Sequence, residues 1–502
     1  MQKLYFVWLV MLPSLFYGEI ISIPDAAFKY KLTHSYYPNY HGYDSNIDGE
    51  IDTTEALAIT TLNLSNNTNI HDLTGILYFT NLVNLNFSFC KVEQADLHGL
   101  THLKSVGCDY NFNLFTSLNL SGCTALETLY AHSNPFEILN LDGCTALKTI
   151  DIHYSKVPTL NLSSAINLQS LNIENGRVSS IVFGSHPQFT SIKASNNTAL
   201  TSLDLSAIPS LQSVIVDRCS LNLLRFADNS SLKQLNCEYN YLTALDMSTQ
   251  SNLVSLNCQR NAIALLDLRN ANVLNSLDCS KNQLTQLELN KQASITQLYC
   301  SYNLLTKLDV GDMGMDFTYL NCSHNKLKEL NMRGDNIRYL DFSDNEFQKL
   351  DLSWYQNLEF LYGQNNPNLS YLNLTYNDIS PVRLNELDLT NNPALYFLCV
   401  DDFRIDFYKG YLASINRRNV HVSADCSYKT DIFPNPATAD FKVYAMDDIS
   451  TLKIYDMRGT LIETRHPNFN VAEISIANLA IGIYIVEVQT AYATTTHKLY
   501  KI

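Results

Sequence analysis

The chain has 502 residues, a formal net charge of −15 and 46% hydrophobic residues. That length exceeds one ordinary compact core, which stops growing near ~250–300 residues, but suits a stack in which each unit packs only on its neighbours. The acidity argues against nucleic acid and anionic membrane surfaces, which want Lys/Arg fields; cationic surfaces, calcium, sugars and protein partners stay open.

Residues 1–20 read as a signal peptide: Lys3 precedes an apolar run from Leu4 to Phe16, with small residues, Gly18 or Ser22, near a cut. The run is short for a membrane span. No later stretch is long and apolar enough to cross a bilayer, so the mature chain is expected to be exported without a transmembrane segment.

An N-terminal cap is expected over 21–60. Within it, 44–55 has the order of a calcium loop. Asp44, Asn46 and Asp48 would offer side-chain oxygens and Gly49 the sharp turn. Glu50 would offer its carbonyl, Asp52 would act through a water, and Glu55 would close the site with two oxygens. Ile51 takes the apolar anchor position. Pro38 and Gly42 spoil a long entering helix, and no second loop is present as a partner. The loop resembles the single extracellular calcium loops of dockerin-like modules, which implies a structural Ca2+.

Repeats are expected over 61–400. The pattern Leu-x-Cys-x-x-Asn-x-Leu occurs at Leu298, Cys300 and Asn303, and again from Leu235, Leu256, Leu277 and Leu320. A step of about 21 residues marks a leucine-rich repeat solenoid, and its extent from Leu62 to Leu398 makes about 17 coils. Cys237, Cys258, Cys279, Cys300 and Cys322 stand where the coil wants a small inward hydrophobe. A buried thiol ladder follows, because side chains in register point alongside rather than at one another. The asparagine column supplies partners to backbone groups where the chain leaves each strand. Cys90 and Cys219 replace it in two coils, and Ser155 and Gly176 in two more, where looser packing is expected. A second Leu-x-Leu series (Leu118, Leu203, Leu266, Leu350) has only short polar links around it, so the convex side is predicted as short extended structure rather than helix.

With these motifs, residues 44–400 resemble the cysteine-ladder leucine-rich repeat proteins of the internalin-J type. The resemblance implies an adhesion or binding surface, not a catalyst. Residues 401–427 break the period and read as a C-terminal cap and linker, with a disulfide between Cys399 and Cys426 expected in an exported chain.

Residues 428–502 carry alternating strands at Phe441–Tyr444, Leu452–Tyr455 and Gly482–Val488, a small all-β sandwich. The Pro434-Asn435-Pro436 start, the Ile454-Tyr455-Asp456 turn with Gly459, the segment Leu479 to Val486 and the end Lys498 to Ile502 resemble the C-terminal sorting domain of type IX secretion substrates in Bacteroidetes. That resemblance implies an export address, removed after the outer membrane is crossed, and the type IX machinery as partner. The fold class is thus mainly β, a solenoid followed by a sandwich.

Function is sought on the concave face. The residues before the strand leucines, Tyr319, Tyr339 and Phe360, with Phe397 at the last strand, and those after them, Tyr299 and Tyr362, form an aromatic strip suited to peptide side chains or sugar faces. The same rings would also stabilise the sheet as cross-strand pairs. Asp109, His132, His153 and Glu174 line one exposed column, either a transition-metal site or a solvated strand face. Nucleophile elbows, zinc helices and phosphate loops are missing from the sequence, so no enzyme is expected. The reading is a surface-displayed or secreted, adhesion-type protein that binds a protein or carbohydrate ligand. The alternatives are a structural matrix component and, more remotely, a metal-dependent hydrolase.

Overall fold

The computed structural model describes residues 18–34, 42–111, 115–228, 231–290, 293–312, 316–333, 336–353, 355, 357–375, 386–426, 430–445 and 447–502. The predicted signal peptide lies outside the described residues up to Tyr17. The chain divides into two compact units, Met1–Gln283 and Leu284–Ile502.

The first unit begins with the cap. Asp25 caps helix Ala26–Thr33 by accepting the N–H groups of Ala27 and Phe28 at 3.0 and 2.9 Å. Its other oxygen accepts from His71 and Asp72 at 2.7 and 3.1 Å, fastening the helix to the first coils. Phe28 and Leu32 are fully buried beneath it. A second short helix, Thr53–Ala58, starts from a capping box between Asp52 and Glu55.

Each coil places a three-residue strand, two residues in the last, in a main parallel sheet. Eleven such strands belong to the first unit, from Thr61–Asn63 to Ser276–Asp278, and five to the second, from Gln297–Tyr299 to Leu387–Asp388. Register is kept coil by coil: Ser255, Leu256 and Asn257 stand opposite Ser276, Leu277 and Asp278. The leucine points inward and its neighbours outward, because strand side chains alternate. Beyond the strand the ladder continues, with Cys258 N–H donating to Asp278 O at 2.8 Å and Arg260 N–H to Ser280 O at 3.0 Å.

The turn that follows requires left-handed backbone. From Asn66 to Asn391, the residue four places after each strand's inward residue has a positive φ, 53° at Tyr110 and 52° at Tyr239 for example. Glycine does not occupy this row. The turn brings the next residue, usually asparagine, inside. Asn240 then donates to Val216 O, Cys237 O and Glu238 O at 2.9, 3.0 and 3.2 Å, while its own oxygen accepts Leu221 N–H at 2.9 Å. One amide so pairs backbone groups of two successive coils.

Cys237, Cys258, Cys279, Cys300 and Cys322 are buried free thiols. Burial pushes Cys237 up to about 12, and Cys258 and Cys322 well above the ordinary thiol value. Cys90 and Cys219, in the asparagine place, donate through sulfur to Leu64 O and Ala194 O at 3.3 and 3.2 Å. The coils at 150–180 are not looser: Ile150, Ile152, Ile173 and Val178 are fully buried. The exchange of asparagine for serine there leaves only Ser155 Oγ buried without a partner.

The opposite side of the coils is short strand, as at Ser117–Asn119, Ser202–Leu205, Leu265–Leu268 and Lys349–Asp351. Among the described residues the main sheet holds sixteen strands, eleven plus five, in line with the predicted count of about 17. Phe397–Cys399 belongs to the second sheet, between Tyr371–Asn373 and His421–Ser423. The last main strand is Leu387–Asp388, whose coil alone has the asparagine: Asn392 donates to Gly363 O and Leu389 O at 3.0 and 2.9 Å. Helix Ile405–Ser414 and strand His421–Ser423 close the coils, and a disulfide joins Cys399 to Cys426.

Two antiparallel sheets follow. Thr430–Phe433, Asp440–Ala445 and Val471–Ser475 form one, and Leu461–Arg465, Ile449–Asp456, Gly482–Thr490 and Thr494–Lys501 the other. Phe441, Val443, Leu452, Ile454, Val486, Val488 and Leu499 are fully buried between them. Among the described residues no helix is long and apolar enough to cross a membrane.

Candidate binding face, calcium-type loop and C-terminal domain

The aromatic strip lies on the outward face of the second unit's main sheet. Parallel register sets Tyr319 opposite Tyr339 and Tyr339 opposite Phe360. The rings of Tyr319 and Tyr339 stack at 4.1 Å and 7°. Tyr299 tilts against Tyr319 at 4.6 Å, and Tyr362 and Phe360 against Tyr339 at 5.5 and 6.0 Å. All five are half-buried. Burial, then the Tyr319 hydroxyl, push the Tyr339 phenol well above its ordinary value. Phe397 is not part of the strip: it is fully buried in the second sheet, stacked on Tyr371 at 5.5 Å and 5°.

The loop 44–55 folds on its own oxygens. Asp44 accepts N–H from Ile47, Asp48 and Gly49 at 2.7, 3.3 and 2.9 Å. Asn46 accepts from Asp48, and Asp48 from Glu50. Asp52 caps the exit helix through Glu55 N–H at 2.9 Å. Ile51, without a second loop, pairs instead with the N-terminal segment, its carbonyl accepting Ile21 N–H at 2.8 Å. The donor set is all oxygen, the chemistry of a hard cation. A carboxylate has about four lone-pair sites, and among the described residues Asp44 fills three of them. Glu55 spends its sites on Ser45 N–H, Ser45 Oγ, Asn46 N–H and Asp52 N–H. The Glu50 side chain pairs with Lys29, leaving its carbonyl as the donor foreseen. Among the described residues no three His, Cys, Asp or Glu side chains are gathered as for a metal.

The histidine column is a hydrogen-bonded stack. The rings of His132 and His153 lie 4.3 Å apart at 16°. Asp109 meets His132 at 3.5 Å, but it is Asp151, not Glu174, that holds His153, at 2.6 Å.

The sequence reading passed over the left-handed row. Phe89, Tyr110, Tyr154, Tyr239 and Tyr302 sit there, each 39–56% exposed. Arg218 and Arg260 lie over the Tyr239 ring at 5.1 and 4.5 Å. Reading the fourth residue after each strand leucine down the coils would have found the row.

At the C-terminus, residues 431–501 match the family model of the secretion system C-terminal sorting domain. The tail is a type IX sorting domain. It directs export to the cell surface or the medium and engages the secretion machinery. The sorting domain is docked on the last coils of its own unit. Tyr396 stacks on Tyr444 at 4.4 Å and donates its hydroxyl to Ala445 O. Asn470 donates to Ser370 Oγ at 3.0 Å, and Lys349 pairs with Asp447 at 2.7 Å.

Solved structures similar to the chain include YopM from Yersinia enterocolitica WA-314, with 25% identity, 68% of this chain and 78% of that one covered, and a TM-score of 0.49. The functional domain of InlJ from Listeria monocytogenes, which includes a cysteine ladder, is 20% identical, with 97% and 99% covered and a TM-score of 0.40. No match was found among curated proteins.

Proposed function

We propose that this exported leucine-rich repeat protein binds a protein or carbohydrate ligand non-covalently on its concave face, in the manner of an adhesin, with Tyr299, Tyr319, Tyr339, Phe360 and Tyr362 as the contact strip. The observation that carries the reading is the ordered run of five rings on an outward sheet face. Mutual stacking holds the rings in place before a ligand arrives, so little side-chain entropy is lost on contact. Aromatic clusters of this kind are where binding energy concentrates. A photo-crosslinking residue at Tyr319 should capture a ligand from the natural surroundings of the cell, and one at Glu329, exposed on strand Glu329–Arg333 outside the main sheet, should not. Equal capture at both positions would contradict the reading.

We also propose that the loop takes Ca2+ as a structural ion, with Asp44, Asn46, Asp48, the Glu50 carbonyl, Asp52 and Glu55 as donors. The all-oxygen donor order supports it. Binding requires Glu55 to give up Ser45, so the ion and the present hydrogen bonds compete. Chelation should lower the melting temperature of calcium-loaded protein, and Glu55→Gln should abolish that difference. Identical melts with and without chelator would rule the ion out.

A further inference from the structure

The last residue of each main strand points outward, and among the described strands it carries a side chain everywhere, from Asn63 and Asn86 to Tyr362 and Asp388, except at Gly107. Neither backbone nor packing demands glycine there. Its φ lies outside the left-handed region. A Cβ built on it would meet the Asn86 carboxamide at 3.5 Å and Ser88 Oγ at 3.6 Å, ordinary contact distances. The missing side chain is therefore space rather than strain relief, and a cavity of about 330 Å³ lies over it on the main sheet of the first unit. Four successive main strands and the residues just beyond them line it, with Asn63, Asn86, Ser88, Asp109 and Tyr130 around Gly107.

We propose that this cavity is a site for a sugar ring of a neutral glycan, with Asn63, Asn86 and Asp109 answering its hydroxyls and Tyr130 its C–H face. The polar groups are fixed in place with capacity to spare. Asn63 Oδ1 accepts Ser65 N–H at 3.1 Å and Asn86 Oδ1 accepts Ser88 N–H at 2.9 Å, so each carboxamide is held by its oxygen. Among the described residues their NH2 groups donate no hydrogen bond. Asp109 accepts His132 N–H at 3.0 Å on Oδ1, and its Oδ2 accepts none among the same residues. Tyr130 is 44% exposed, and among them its hydroxyl makes no hydrogen bond and its ring stacks on no other. The chemistry of this lining selects the ligand. An anionic group would find a carboxylate and, among the described lining residues, no lysine or arginine. A cationic side chain would answer Asp109 and leave the two amide donors unpaired. A hydroxyl both donates and accepts, so neighbouring hydroxyls of one ring serve the amides and the carboxylate together. An aromatic ring with a polar tip suits the other, apolar face of a sugar. The volume is at the lower end of the ~300–1,000 Å³ of small-molecule sites, which suits one or two sugar units.

The site does not rest on the aromatic strip, and its test separates the two. The full chain is run by affinity electrophoresis through gels containing mannan, glucan, galactan, xylan or dextran sulfate. At least one of the four neutral polymers should retard it, and dextran sulfate should not. The apparent affinity should fall at least tenfold in Gly107→Asn and in Tyr130→Ala. Tyr319→Ala/Tyr339→Ala should be retarded as the wild type is. Gly107→Asn fills the cavity with the residue that the preceding strand holds at the same place, and Tyr130→Ala is a change at an exposed ring, so folding is kept. No retardation of the wild type by any neutral polymer, retardation by dextran sulfate alone, or retardation unchanged in Gly107→Asn would overturn the proposal. So would retardation lost only in the strip variant.

Discussion

Asn240 shows how a single side chain sets the shape of a coil. It pairs Leu221 N–H and the carbonyls of Val216 and Cys237, all of them in the interior. Each buried group left unpaired costs about 1–3 kcal/mol. Asn240→Ala should therefore destabilise its coil by about 2–4 kcal/mol, read as faster hydrogen exchange at Leu221 and a lower denaturation midpoint. Asn240→Cys keeps a donor, as Cys219 does toward Ala194 O, and should fall between the two. Unchanged exchange at Leu221 in the alanine variant would contradict this role. The thiols make a second case. Ten cysteines are free and buried, and burial pushes the thiols up, Cys144 to about 12 and Cys219 to about 11. A thiol reagent should find almost none in native protein and ten after unfolding in denaturant. Rapid native labelling would mean that the ladder is open to solvent.

At the scale of elements, the two ends are held by different chemistry. The N-terminal cap hangs on Asp25. Burial pushes its carboxyl up, but the N–H groups of His71, Phe28, Asp72 and Ala27 outweigh this and hold it below the ordinary 3.8. A depressed folded-state value stabilises the fold fully above the ordinary carboxylate range, and the gain is lost as pH falls through the folded-state value. Asp25→Ala should cost about 1–2 kcal/mol at neutral pH, the usual worth of an N-cap. The difference from wild type should shrink as pH is lowered below 4; a gap that widens in acid would contradict the assignment. The C-terminal end is closed by contact between Tyr396 and the sorting domain, with Tyr371, Phe397 and Cys399 packed behind Tyr396 and Val471 of the domain against them. Tyr396→Ala removes the stack on Tyr444 and the bond to Ala445, and truncation of a buried aromatic costs about 3–5 kcal/mol. The sorting domain should then become sensitive to protease at 424–430 while the coils stay resistant. Resistance equal to wild type would show that Tyr396 does not hold the domain.

Over the whole molecule, what the sequence made legible was what repeats. Leu256, Cys258 and Asn261 recur because every coil has the same inside to fill and the same turn to satisfy, so period, thiol ladder and second strand series were all readable. The sorting domain was readable from its own short motifs. What depends on one coil's neighbours was hidden. The register at 387–398 slipped because Leu398 fits the leucine pattern, while only Leu387 has an asparagine five residues on. Phe397 was placed on the wrong sheet for that reason. The left-handed row was missed because tyrosine, arginine and serine occupy it, and side-chain identity does not announce a positive φ when the inter-coil ladder imposes it. The strip was found because three of its rings share one outward column, yet the stacking that orders them needed geometry. Export through the tail and recognition through the strip are the two halves of the functional account, and the second is tested most directly by calorimetry. The ligand captured through position 319 is titrated into wild type and into Tyr319→Ala/Tyr339→Ala. Loss of at least about 2 kcal/mol, roughly 30-fold in Kd, is expected for a central aromatic pair. Equal affinity in the two proteins would contradict the strip as the binding surface.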